Sequence, residues 1–190
     1  MILLQSYLEE TEEINYGHPS IMHAASFLYR ADSVKTVEAC YDFVCDEIKD
    51  TPQDMLMHPP TYIASDVLES GHSTSYGKSN LLNALLRACS IPVGFCYFRK
   101  RIDSETGFML HSLIRVQIEG GEWVRLDCSV DKEEVKGIEI TSDEKLLYPE
   151  GTTDGYYLKF NFPRHIISVR NCFNKAATTA EILEDLPDIY

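Results

Sequence analysis

Three short stretches of this chain carry side chains that could do acyl chemistry. Gly71-His72-Ser73-Thr74-Ser75-Tyr76-Gly77 is small and polar and runs into a strongly apolar helical pattern. His111 begins His111-Ser112-Leu113-Ile114-Arg115-Val116, and Asp127 closes Glu122-Trp123-Val124-Arg125-Leu126-Asp127. A hydroxyl, an imidazole and a carboxylate are groups that nucleophilic and general acid–base catalysis uses when they converge. Singly, each has an ordinary reading: Ser75 as an N-cap or first-turn serine, His111 as a strand histidine, Asp127 as a turn cap with Ser129.

Convergence depends on the elements that carry them. Apolar residues at helical spacing predict helices over His18–Arg30, with Pro19 suited to the first turn, and Ser33–Ile48, capped by Asp32 or Ser33. A proline-rich loop follows from Thr51 to Thr61, then a short helix over Ala64–Glu69 that stops at Gly71. The strongest helix buries Leu81, Leu82, Leu85, Leu86 and Cys89 and ends before Pro92. After it the period changes to two, predicting strands over Pro92–Arg101, Phe108–Glu119 and Glu122–Asp127. Tyr156–Phe162 reads as a further strand, Pro163–Val169 as a turn or short helix, and Thr178–Leu186 as a terminal helix. Helices first and a mostly antiparallel sheet afterwards predict an α+β fold.

Strand parity constrains the site. His111 shares a strand face with Leu113, Arg115 and Gln117, and Trp123 and Arg125 share one with Asp127. A two-residue hairpin at Gly120-Gly121 would pair residues whose numbers sum to an odd value, which puts His111 and Asp127 on opposite faces. If the two act together, the connection is a longer turn around Glu119 or contains a bulge.

Composition narrows the function classes. The chain has 190 residues, 44% hydrophobic and 25% charged. That suits one globular domain spanning 1–190 with its motif region at 60–130, and excludes wholesale disorder. Thirty acidic against 17 basic residues leave a net charge of −13, which argues against nucleic acid as a partner. The opening Met-Ile-Leu-Leu is too short for a signal peptide and lacks a basic lead, and no apolar run reaches bilayer length. The expectation is a cytoplasmic protein with no membrane contact. The six cysteines form no Cys-x-x-Cys pair, and reduced, mostly buried thiols are the expectation. Cys40 and Cys45 point to different faces of their helix. A zinc site built from Cys128, His72 and His58 has no recognisable ligand spacing, and no acidic loop has calcium-ligand spacing. No metal or cofactor is expected.

Read together, the three stretches and the helix exit Leu85-Leu86-Arg87-Ala88-Cys89-Ser90-Ile91-Pro92 resemble the transglutaminase-like superfamily of papain-type cysteine enzymes. The likeness is closest to small stand-alone bacterial members. The resemblance implies a nucleophile at Ser75, a general base and acid at His111, and an orienting carboxylate at Asp127. Its activity would be peptidase, amidase or acyl transfer to an amine, on a protein or peptide substrate.

The chain departs from the family at the nucleophile, where serine stands in place of cysteine. A helix N-terminus and a neighbouring imidazole lower a thiol's pKa, whereas a hydroxyl is a far weaker acid and depends wholly on general-base help. Three readings of Ser75 stand open: a Cys→Ser replacement that silences the site, a naturally inactive binding or regulatory module, and a working serine hydrolase. For the second oxyanion donor, Gln53 is a candidate amide, and Tyr76 is placed in the pocket or against the sheet. Trp123 is expected to pack beside the site, Arg87 to anchor its helix to nearby carboxylates, and His58 and His72 to lie in loops near the mouth. The segment Asp131–Lys145 is expected to be a solvated face or a loop bordering the cleft.

Overall fold

The computed structural model describes residues 3–103, 107–118, 121–129, 146, 148 and 151–189. The segment Asp131–Lys145 lies outside them. A 3-10 helix at Leu4–Leu8 precedes α1 (Pro19–Leu28), which starts on its proline, and α2 (Ser33–Glu47). The Asp32 carboxylate caps α2 by accepting from the Lys35 amide at 2.9 Å, so the cap is Asp32 rather than Ser33. A two-residue strand β1 (Lys49–Asp50) and a 3-10 turn at Gln53–Met55 lead to α3 (Ala64–Ser70). Gly71 ends α3 with φ +69°, a backbone region that glycine enters without steric cost.

β2 (His72–Ser73) pairs in parallel with β1, and α4 (Ser75–Ala88) follows at once. Leu81, Leu82, Leu85 and Leu86 are fully buried, and every residue from Tyr76 to Arg87 is buried. A helix buried on all sides is a central one, packed on α1, α2, α3 and the sheet. It exits through a C-terminal cap in which Ile91 N–H reaches Leu86 O at 3.0 Å and Ser90 N–H reaches Arg87 O at 2.9 Å. Ser90 takes φ +60° there, in the left-handed region.

Four antiparallel strands form the main sheet: β3 (Val93–Asp103), β4 (Gly107–Gln117), β5 (Trp123–Leu126) and β6 (Gly155–Tyr157), in the order β5-β4-β3-β6. β6 is shorter than the strand predicted over Tyr156–Phe162, whose far end makes only an isolated bridge from Phe162 to Phe95. The chain ends with α5 (Ile167–Lys175) and α6 (Thr179–Glu184). Phe95 and Tyr97 of β3, Leu110, Ile114 and Val116 of β4, and Val124 and Leu126 of β5 share one hydrophobic core with the α4 leucines. Helices on one side of an antiparallel sheet make the fold α+β.

Arg87 is structural, but it anchors to carbonyls rather than to the carboxylates expected. Its guanidinium donates to the main-chain oxygens of Glu9, Val93 (2.7 Å) and Pro163 (2.6 Å). Burial lowers its pKa to about 10, so the charge persists at neutral pH.

Candidate active site

Ser75 is the first residue of α4 and Thr74 is its N-cap. Thr74 makes no side-chain cap bond, and the first intrahelical donor is Lys78 N–H to Thr74 O. The amides at the head of α4 therefore keep their donors and partial positive charge for a ligand. Gly77 is required here, because a Cβ would lie 1.9 Å from Ser73 Oγ and 2.8 Å from Thr61 O. The buried Lys78 ammonium pairs with Asp50 at 2.5 Å and so ties this turn to β1.

Two hydrogen bonds dock this turn on β4. Tyr76 donates its hydroxyl to Leu110 O, and Ser79 donates to Ser112 O at 3.2 Å. Leu110 and Ser112 flank His111, so the histidine is held at the contact between α4 and the sheet.

The β4–β5 register places Asp127 near that histidine. Ile114 pairs with Leu126, Arg115 with Arg125, Val116 with Val124, and Gln117 with Trp123, so paired numbers sum to an even value. Ile118 N–H donates to Glu122 O at 3.0 Å and Gly121 N–H to Ile118 O at 3.1 Å, leaving three residues between Ile118 and Glu122, with Gly121 at φ +83°. Continuing the register sets Asp127 opposite Leu113, on the face of His111 and one pleat repeat away. His111 Nε2 and Asp127 Oδ2 are 2.8 Å apart. The other carboxylate oxygen accepts from Ser129 N–H at 3.0 Å, and Tyr41 of α2 donates to Asp127 O at 3.0 Å. Asp127 is fully buried and His111 is 5% exposed. The carboxylate's two oxygens thus hold the imidazole and cap the turn at Ser129. With Nε2 committed to Asp127, Nδ1 is the ring nitrogen left to exchange a proton.

A cavity of about 360 Å³ joins these groups, lined by Ser73, Thr74, Ser75 and Tyr76 on one side and Met109, His111 and Ser129 on the other. Ser75 is half-buried and makes no side-chain hydrogen bond among the described residues. Asp50, Thr51 and Leu56 extend the cavity, and Ile182, Leu183 and Leu186 wall it from the C-terminal side. That wall is tied down along its length. Ala180 N–H donates to Leu56 O at 2.8 Å, Thr179 N–H to His58 O at 2.9 Å, and Leu110 N–H to Pro187 O at 2.9 Å. Arg99 forks onto both oxygens of Asp188 at 2.7 and 2.6 Å, which holds the Asp188 carboxyl below its ordinary pKa. The sequence marked Thr178–Leu186 only as a terminal helix, and its apolar residues gave no sign of a cleft wall.

Other sequence candidates fall elsewhere. Gln53 is exposed on its 3-10 turn and does not line the cavity, whereas Leu56 just beyond it does. Tyr76 lines the cavity and packs on the sheet, but its hydroxyl is spent on Leu110 O. Trp123 is not beside the site. It sits at the opposite end of β5 and packs on Tyr7, with ring centroids 4.9 Å apart. Neither His58 nor His72 lines the cavity. Among the described residues no group of three or more His, Cys, Asp or Glu side chains could hold a metal ion, and no helix is long and apolar enough to cross a membrane.

A buried histidine escaped the sequence reading. His165 stacks on Phe95 with centroids 3.8 Å apart, bonds Tyr97 Oη through Nδ1 at 2.6 Å and donates from Nε2 to Asn80 Oδ1 at 2.8 Å. Burial pushes its pKa down to about 3, so it is neutral and holds α4 to β3.

Comparison with known proteins agrees with this architecture. The family model described as the transglutaminase-like superfamily matches residues 24–128, more than half of the chain. A crystal structure of a proposed cysteine protease from Cytophaga hutchinsonii is similar, with a TM-score of 0.52 and 17% identity over 66% of this chain. The chain spans 42% of the length of that protein. A proposed protease from Parabacteroides distasonis gives a TM-score of 0.44 at 16% identity, over 64% of this chain and 24% of its own. No curated protein matches. At such identity the Cytophaga structure speaks for the fold alone, but the family match covers the head of α4, the His111 strand and Asp127 together. The chain therefore belongs to the transglutaminase-like superfamily.

Proposed function

We propose that this fold carries out papain-type acyl chemistry on an amide bond, with position 75 as nucleophile, His111 as base and acid, and Asp127 as its orienting partner, and that Ser75 silences the chain as written. The observation that carries the reading is the single cavity lined by the head of α4 and by His111, whose far ring nitrogen is held by a buried carboxylate. A thiolate at position 75 attacks the carbonyl carbon, and the free amides of α4 receive the oxyanion. His111 Nδ1, which took the thiol proton, returns it to the leaving amine. Asp127 stabilises the imidazolium meanwhile. Water then releases an acid, or a second amine takes the acyl group.

A hydroxyl fits this sequence of steps poorly. Its pKa lies far above a thiol's, and the shorter C–O bond holds the oxygen back from a site shaped for sulfur. Serine at this position favours, as a second reading, a module that keeps the cleft to hold a peptide.

The test is Ser75→Cys. Rapid alkylation by iodoacetamide near neutral pH, lost in the added His111→Ala variant, is the expected result. A thiol with ordinary alkylation kinetics favours the binding module. Labelling of the unaltered protein at Ser75 by a fluorophosphonate would instead mark a serine hydrolase.

A further inference from the structure

Away from that cleft, a second cavity of about 340 Å³ is lined by Leu4, Tyr7, Arg115, Trp123 and Asn161. Its charge is out of keeping with the chain. In a protein with 30 carboxylates and 17 basic side chains, no carboxylate of the described residues pairs with Arg115. Its Nε is shielded from solvent and has no hydrogen-bond partner. Arg115 also stands directly opposite Arg125 in the β4–β5 register, so no cross-strand carboxylate faces it there. Arg125 lies over the Tyr157 ring at 4.3 Å, whereas no such ring contact is formed by Arg115 among the described residues. Beside it, the Asn161 carboxamide is buried with neither its oxygen nor its nitrogen bonded, while Tyr7 donates its hydroxyl to Asn161 O at 3.0 Å. The walls are the Tyr7 and Trp123 rings and the half-exposed Leu4.

We infer that the Arg115–Asn161–Trp123 cavity is a binding site for a small carboxylate that bears an aromatic or compact apolar group. The guanidinium fork matches a carboxylate's two oxygens, and the Tyr7 and Trp123 rings cover the apolar part. A bound carboxylate would neutralise the Arg115 charge. Four residues along β4 separate it from His111, about 13 Å at the rise of a strand. The site is therefore independent of the catalytic reading and stands whether or not the Ser75 cleft turns over substrate.

Trp123 is the chain's single tryptophan, so its fluorescence reports this cavity directly. The full chain is titrated with benzoate, with the neutral isostere benzamide and with inorganic phosphate. The expected result is saturable change with benzoate, and binding of benzamide and phosphate at least tenfold weaker. Arg115→Met is expected to weaken benzoate at least tenfold, while Ser75→Cys leaves it unchanged. No saturable change with benzoate, or equal binding of benzamide, overturns the proposal. Phosphate binding as tight as benzoate overturns the carboxylate assignment. Should Arg115→Met fail to fold, the benzoate–benzamide comparison on the unaltered chain decides the matter.

Discussion

Ser79 donates its hydroxyl to the carbonyl of Ser112 at 3.2 Å, and so fixes the first turn of α4 against the residue that follows His111. Tyr76 does the same to Leu110 on the other side. Ser75 and the imidazole are thus set relative to one another by these contacts to the main chain of β4, without a direct bond between them among the described residues. Tyr76→Phe leaves a buried carbonyl unpaired and is expected to cost about 1–3 kcal/mol in urea unfolding. In the Ser75→Cys background it should also slow alkylation, because the imidazole loses its fixed distance from the thiol.

Asp127 serves His111 and the Ser129 amide at once. Asp127→Ala strands both donors inside the protein and is expected to destabilise by about 2–4 kcal/mol. Asp127→Asn keeps the shape but not the charge. In the Ser75→Cys background it should cut the iodoacetamide rate at pH 7 at least tenfold while the unfolding midpoint moves less than for Asp127→Ala.

His165 makes stability depend on pH. Its folded pKa is pushed down to about 3 by burial, against about 6.5 in an unfolded chain. Between these values the unfolded state binds the extra proton, so stability rises with pH through this window and levels off above it. At pH 5 the loss is about 2 kcal/mol relative to pH 7.5. Urea unfolding at the two pH values measures it, and His165→Gln should flatten the difference.

Ser90 pays for its left-handed backbone, which glycine adopts freely. Ser90→Gly is expected to stabilise by about 0.5 kcal/mol, the unfolded-state freedom of glycine offsetting part of the gain. Thermal unfolding reads this out.

The Arg99–Asp188 fork pins the segment that walls the cleft. Asp188→Ala should loosen Leu186 and Pro187 without touching Ser75, His111 or Asp127. In the Ser75→Cys background, reaction with a bulky maleimide should accelerate more than reaction with iodoacetamide. Equal acceleration of both would mean that the wall does not limit access.

Much of this was legible in the residues. The apolar spacing of α4, the switch to period two after Pro92 and the parity of the β4–β5 hairpin follow from local chemistry that one sequence displays. The parity argument excluded a two-residue turn at Gly120-Gly121, and a three-residue turn is what the register requires. Long-range partners were not legible. Nothing local distinguishes a carbonyl from a carboxylate as the target of Arg87, or sends Trp123 to Tyr7 rather than to the cleft. His165 looked like any loop histidine, because its stacking on Phe95 and its bond to Asn80 join residues some 70 to 85 positions apart. The wall formed by Ile182, Leu183 and Leu186 depends on a chain end folding back over the head of α4, and helical periodicity does not encode that return.

That return has a practical side for anyone handling the protein. Because Pro187 and Asp188 are stitched to β4 and β3 just beyond Leu186, which lines the cleft, a cut or added bulk anywhere in residues 179–188 would disturb the cleft wall together with the segment itself.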